Sequence, residues 1–191
     1  MSLRFASPYH LPLTTYRFQL LSMRQLSFDK KQWEILREVC EQGYPKEVCG
    51  LLFGRPQSGN GLEKRVEKIA VLENVLDGKH SKRLNELMEA GVISINKERA
   101  LKGGCFEFVI DPKEHYEKIS QAMKDGLDQI GLFHSHPDHP AAPSATDAAQ
   151  PFLAGWSNVI AAVHGGKFKE AKSWFREIEQ ASFQEEKILV Q

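Results

Sequence analysis

The sequence predicts a mixed α/β fold, a sheet of mixed strand direction with helices packed on it. Short apolar runs bounded by glycine alternate with stretches of helical periodicity, and they do so without a strict βαβ rhythm. The chain has 191 residues, a length that suits one domain with a sizeable core.

Taken in order, the first helix is expected from Asp29. Trp33, Leu36, Val39 and Cys40 recur at helical spacing, and Gly43 with Pro45 supplies the stop. Residues 48–53 read as a buried strand. Residues 54–61, Gly-Arg-Pro-Gln-Ser-Gly-Asn-Gly, form a turn-rich link to a second strand at about 62–72. Residues 77–104 differ from their surroundings. Leu84, Leu87 and Met88 predict a short helix ended by Gly91, and residues 95–101 add another turn or two. Charged and glycine-flanked, the stretch is expected as a surface insertion rather than a core element.

Phe106, Phe108 and Ile110 alternate as in a strand. Asp111-Pro112-Lys113-Glu114 is a helix start, with a capping residue, proline at the first helical position and an acid in the first turn. That helix carries Tyr116, Ile119 and Met123 and stops near Gly126. Residues 129–133 form the strand that delivers His134. Ser144 opens a short helix that cannot run past Pro151. Residues 158–163, a turn at 164–167 and residues 168–178 read as a closing hairpin.

Residues 26–191 are expected as the domain and residues 1–25 as an N-terminal extension. The first 28 residues carry Arg4, Arg17 and Arg24 and no acid. They read as a disordered tail, or as an extension upstream of a start at Met23. Charge balances at 25 basic and 25 acidic residues, so no global field favours nucleic acid or an anionic membrane. Three cysteines (Cys40, Cys49, Cys105) show no CxxC pairing, which fits a reducing compartment. No apolar run approaches the roughly 18 residues that span a bilayer. The expected location is the cytoplasm.

The chemistry concentrates at residues 131–147. His134 and His136 stand two apart at the end of an apolar run, so in an extended chain both imidazoles face one point. Asp147 follows beyond a loop stiffened by Pro137, Pro140 and Pro143. Two imidazoles and a carboxylate leave one tetrahedral position open, the catalytic arrangement for zinc. His139 is expected outside the ligand set. Ser144-Ala-Thr-Asp147 also has the form of a capping box, in which both side chains satisfy free donors of a helix start. A carboxylate bound to zinc is not expected to serve fully as a cap. A zinc hydrolase needs a general base as well, and Glu47, abutting the strand at 48–53, ranks first among several acids.

Together, Glu47, His134-Ser135-His136-Pro137, Ser144 and Asp147 resemble the JAMM (MPN+) zinc metallopeptidase signature, prokaryotic type. The likeness runs from about residue 29 to 178 and includes Glu47-Val-Cys-Gly-Leu-Leu-Phe-Gly and Phe108-Val-Ile-Asp-Pro112. It implies a curved mixed sheet flanked by two main helices, with 77–104 as a helical insertion. By that likeness His134, His136 and Asp147 bind one Zn2+, Glu47 is the acid/base, and Ser144 stabilises the oxyanion. Cys49 is a packing residue.

The implied substrate is a ubiquitin-like or β-grasp sulfur-carrier protein, cut after its C-terminal Gly-Gly. Its tail is expected as an added strand beside the zinc. The insertion is read either as a contact for that tail or as a neutral surface loop. Two other readings are a zinc hydrolase of a small amide and a non-catalytic MPN scaffold module. The second conflicts with the complete ligand set. Oligomeric state and physiological substrate are not legible.

Overall fold

The computed structural model describes residues 24–55, 63–76, 78, 80–93, 95, 104–105 and 107–191. These form β1 (Gln25–Phe28), α1 (Lys30–Gly43), β2 (Cys49–Gly54), β3 (Glu63–Val66), β4 (Lys68–Leu72), α2 (Ser81–Glu89), α3 (Pro112–Lys124), β5 (Asp128–Pro137), α4 (Ala145–Ala149), β6 (Ser157–His164), β7 (Lys167–Phe175) and β8 (Gln184–Val190). The strands make one mixed sheet in the order β3-β1-β8-β7-β6-β5-β2-β4, so the expected α/β class holds.

The ends of that order, β3 and β4, are consecutive in the chain with only Glu67 between them. The strand expected at 62–72 is therefore broken in two. Before Glu67 it pairs parallel with β1, and after it antiparallel with β2. Glu67 N donates to Phe53 O at 2.9 Å, which pins the corner to β2. The sheet curls until its two ends meet there.

Both faces of β2 are covered, which explains its unbroken apolar run. Leu52 faces α1 and packs with Leu26, Phe28, Leu36, Cys40, Val66 and Phe133. Cys49, Leu51 and Phe53 face α3, beside Leu72, Ala122 and Leu127. Burial of each large side chain here contributes about 1.5–3 kcal/mol. Gly50 admits no side chain, because a Cβ would lie 2.4 Å from Ala70 O and from the Phe133 ring. Asp29 Oδ1 caps α1 by accepting from Gln32 N at 2.7 Å. Asp111 caps α3 in the same way, accepting from Lys113 N at 2.9 Å, with Pro112 at the first turn. Of the apolar residues expected on α3, Ile119 packs inward while Tyr116 and Met123 are exposed.

Three expectations need correction. The hairpin β6–β7 is not the end of the sheet. A further strand, β8, pairs antiparallel with β7 and parallel with β1, and the hairpin itself stops at Phe175. Next, residues 107–109 form no strand, and Ile110 makes only an isolated bridge to Asn74. The Asn74 side chain is the reason: it accepts from Val109 N and donates to Glu107 O, each at 3.1 Å, where a neighbouring strand would otherwise pair. Finally, the insertion is not purely superficial. Leu84 and Leu87 of α2 are buried against Val75 and Leu76, with Ile93 and Ile95 packed beside them. Expected features at residues 1–23, 56–61, 96–101 and Phe106 lie outside the described residues.

A second buried polar group ties the far side of the sheet. Glu186 on β8 is paired with Lys64 Nζ of β3 at 3.2 Å and accepts from Ser157 Oγ and from Ser173 Oγ, the latter at 2.7 Å. Among the described residues no helix is long and apolar enough to cross a membrane.

Candidate metal centre

The sequence expected the strand at 129–133 to deliver His134; instead β5 runs on through Pro137, so His134, Ser135 and His136 all belong to the ladder. Alternation sends the two imidazoles to one face. Ser135 faces the opposite way, and its Oγ accepts from Val48 N at 2.9 Å while its own N donates to Val48 O at 2.9 Å. Cys49 pairs with His134 in the β2–β5 ladder. Continuing that antiparallel register by two residues puts Glu47 opposite His136, on the same face.

The chain then reverses at Asp138, which has a positive φ of 56°. Its carboxylate accepts from Tyr44 OH at 2.8 Å and from Gly165 N at 2.9 Å. Trp174 Nε1 donates to Ala141 O at 3.1 Å. Hydrogen bonds therefore hold this loop as well as its prolines.

The loop returns as α4, one turn long, with Asp147 buried on it. At its start the capping box is complete. Asp147 Oδ2 accepts from Ser144 N at 2.7 Å and from Ser144 Oγ at 2.6 Å, and Ser144 Oγ accepts from Asp147 N at 3.1 Å. The cap and the cluster thus share one carboxylate, Oδ2 serving the cap while Oδ1 stays turned to His134. At the other end, the guanidinium of Arg176 donates to Ala148 O at 2.6 Å and to Glu179 O at 3.0 Å, and its plane lies 4.2 Å from the Phe183 ring centroid.

His134 Nε2 lies 3.0 Å from His136 Nε2 and 3.1 Å from Asp147 Oδ1, and His136 Nε2 lies 3.5 Å from Asp147 Oδ2. All three residues are buried. This triangle tests the donor set against zinc. Ligand bonds of about 2.0–2.1 Å at tetrahedral angles put donor atoms roughly 3.3 Å apart, close to what the triangle shows. Lone pairs on two imidazoles and a carboxylate converge on one point, where only a cation or a shared proton relieves their repulsion. The three residues fit the metal. His139 is exposed and lies outside the cluster.

Electrostatics agree with the geometry. Burial raises the Asp147 carboxyl, but the contacts with His134, His136 and Ser144 outweigh it and hold the group well below the usual carboxylate range. Burial also disfavours protonated His134, so its pKa is lowered. For His136 burial acts the same way, yet Asp147, Pro140 O and Glu47 turn the balance upward. Glu47 is 8% exposed and pushed up to about 8, mainly by burial, with Asp147 and Glu107 adding to the rise and His136 opposing it.

Residues the sequence did not flag complete the surroundings. Glu47 N donates to Gly104 O at 2.8 Å, and Asn74 Nδ2 donates to Glu47 O at 3.2 Å. The inserted stretch therefore ends by fixing Glu47. Gly104 has φ of 82°, and a Cβ there would lie 2.9 Å from Asn74 Nδ2. The Phe108 ring packs on His134 at 5.0 Å between centroids. A cavity of about 560 Å³ opens beside His134 and Asp147, lined among others by Val92, Ile93, Ile95, Phe152 and Trp156. Nothing in the sequence announces Asn74, and Phe108 is read there only as part of a strand; their roles beside the cluster arise from packing.

Comparisons with known proteins point the same way. The family described as prokaryotic homologs of the JAB domain matches residues 29–177. A desampylase of Pyrococcus furiosus is 31% identical over 101 residues, covering 53% of this chain and 49% of that protein. The match thus spans about half the length of that curated relative. A solution structure from Desulfitobacterium hafniense superposes with a TM-score of 0.62 at 28% identity, covering 87% of this chain and 92% of its own. One from Salinibacter ruber does so with a TM-score of 0.57 at 25% identity, covering 86% and 91%.

Proposed function

The chain belongs to the prokaryotic homologs of the JAB domain, and from that membership we propose that it is a zinc-dependent isopeptidase acting on a ubiquitin-like or sulfur-carrier protein. The observation that carries this reading is the buried cluster of His134 and His136 on β5 with Asp147 on α4, while Glu47, two residues before β2, falls opposite His136 when the β2–β5 register is continued. The desampylase relative supports the substrate class. In this reading residues 26–191 are the catalytic unit, 1–25 an extension, and the cytoplasm the working compartment.

His134 Nε2, His136 Nε2 and an oxygen of Asp147 hold the ion. When bound, zinc supplies a Lewis acid for the scissile carbonyl and lowers the pKa of its water to about 7. Glu47 takes the proton of the attacking water on a carboxylate oxygen and passes it to the departing amine as the C–N bond breaks. Burial pushes its pKa up to about 8 in the metal-free chain, and a bound divalent cation beside it would favour the carboxylate form that takes a proton. Ser144 Oγ turns its proton from Asp147 to the carbonyl oxygen as that oxygen gains charge. The substrate tail lies extended in the cavity between the insertion and Trp156, with its Gly-Gly at the cluster.

The deciding experiment offers a β-grasp carrier extended beyond its Gly-Gly to the purified protein, with zinc measured in parallel. Wild type is expected to hold one zinc per chain and cleave after Gly-Gly. Glu47→Gln is expected to keep zinc and lose cleavage. Hydrolysis of small amides without cleavage of any carrier overturns the substrate assignment.

A further inference from the structure

His134 spends Nε2 on the cluster, which leaves Nδ1 to find a partner within the protein. His136 has one, its Nδ1 standing 2.9 Å from Pro140 O. His134 Nδ1 and Asn158 Oδ1 are both buried with no other hydrogen-bond partner, and the Asn158 side chain stands close enough to act as a hydrogen-bond partner of the His134 ring. One can donate and the other can accept.

They stand on the same wall. In the parallel β5–β6 ladder Leu132 pairs with Asn158 and His134 with Ile160, so the side chains of His134 and Asn158 leave one face a single pleat repeat apart. Both line the cavity beside the cluster. Asn158 is 3% exposed at the start of the apolar run that fills β6. An amide buried there without a partner costs about 1–3 kcal/mol, which a leucine would avoid. The sequence keeps the amide.

Resting on the zinc reading above, we infer that Asn158 is the positioning residue of His134: its Oδ1 accepts the Nδ1 proton and so fixes the tautomer that turns the Nε2 lone pair to the metal. Pro140 O does this for His136, and Ser144 does it for Asp147. Each ligand then has one outer partner, and Asn158 is the one supplied by a different strand.

The test measures zinc affinity by chelator competition in wild type, Asn158→Leu and Asn158→Asp, each checked for its melting temperature. Asn158→Leu, similar in volume and without an acceptor, is expected to weaken zinc binding roughly 10- to 100-fold. Asn158→Asp, which retains the acceptor, is expected to hold wild-type affinity or better. Equal affinity in all three overturns the inference, and so does equal loss in both variants. Should Asn158→Leu fail to fold, nitrogen-resolved NMR of zinc-loaded wild type decides. A slowly exchanging His134 Nδ1 proton in contact with Asn158 supports the assignment, and a freely exchanging one overturns it. A wild type that takes up no zinc overturns both this assignment and the functional reading beneath it.

Discussion

On the β8 side of the sheet, Glu186 is enclosed by Lys64, Ser157 and Ser173; on β5, His134 and His136 are enclosed with Asp147. Both groups are buried and polar. At Glu186 the contacts join donors to acceptors, with one cation matched to one anion and two hydroxyls. At His134 the atoms that converge are lone-pair bearers: two ring nitrogens and the oxygens of one carboxylate, 3.0–3.5 Å apart. A buried cluster whose members complement each other needs nothing more and serves the fold. One whose members share the same polarity needs something from outside. Burial and charge alone do not separate the two, but the sign of the converging atoms does.

The comparison can be broken by mutation. His136→Ala is expected to reduce bound zinc from one per chain to a trace, read by elemental analysis, while the fold persists. Glu47→Gln is expected to cut carrier cleavage on the order of 10²–10⁴-fold with zinc unchanged, read by single-turnover kinetics. If Lys64→Met instead strips the metal, the two clusters are not independent. That change is expected to cost about 3–5 kcal/mol in denaturant unfolding, because Glu186 is left buried and unpaired, and to leave zinc affinity as it was.

Zinc at 100 times its Kd is expected to stabilise wild type and Lys64→Met alike by about 2.7 kcal/mol, and His136→Ala by nothing. Ser144→Ala, which removes the cap hydroxyl, is expected to cost about 1 kcal/mol of stability.

The pH response sharpens the contrast most finely. Folded Glu47, raised to about 8 from an ordinary 4.5, keeps its proton where the unfolded chain has lost it. Its contribution to stability is therefore complete below pH 4.5 and is lost as pH rises through 8. Metal-free wild type is expected to melt at progressively lower temperature across that window, and Glu47→Gln to show a flatter profile.

Much of this site was legible because its chemistry is local. Two histidines at strand spacing must share a face, and Ser144 with Asp147 must meet across one helical turn. Glu47 was harder: nothing in its neighbourhood says which strand lies beside it, and the resemblance to a known signature carried that assignment. Asn158 had only one signal, an amide in the run Ser157-Asn-Val-Ile-Ala-Ala-Val163.

The fold was legible where a segment buries one clear face, as in α1 and β2. It was hidden at β8, whose inward Glu186 sits where an apolar residue is expected, because the Lys64 that compensates it is 122 residues away in sequence. The break at Glu67 was invisible for a related reason. Both halves of that stretch look like strand, and only the partners differ.

That break has a bearing on how the protein behaves in a crowd. Open sheets offer unpaired backbone at their margins, a template on which other chains polymerise. Here the two marginal strands are short and follow one another around a corner, with Phe53 O already taken by Glu67 N. The architecture, together with the charged side chains of β3 (Glu-Lys-Arg-Val), leaves little for a neighbouring copy to extend.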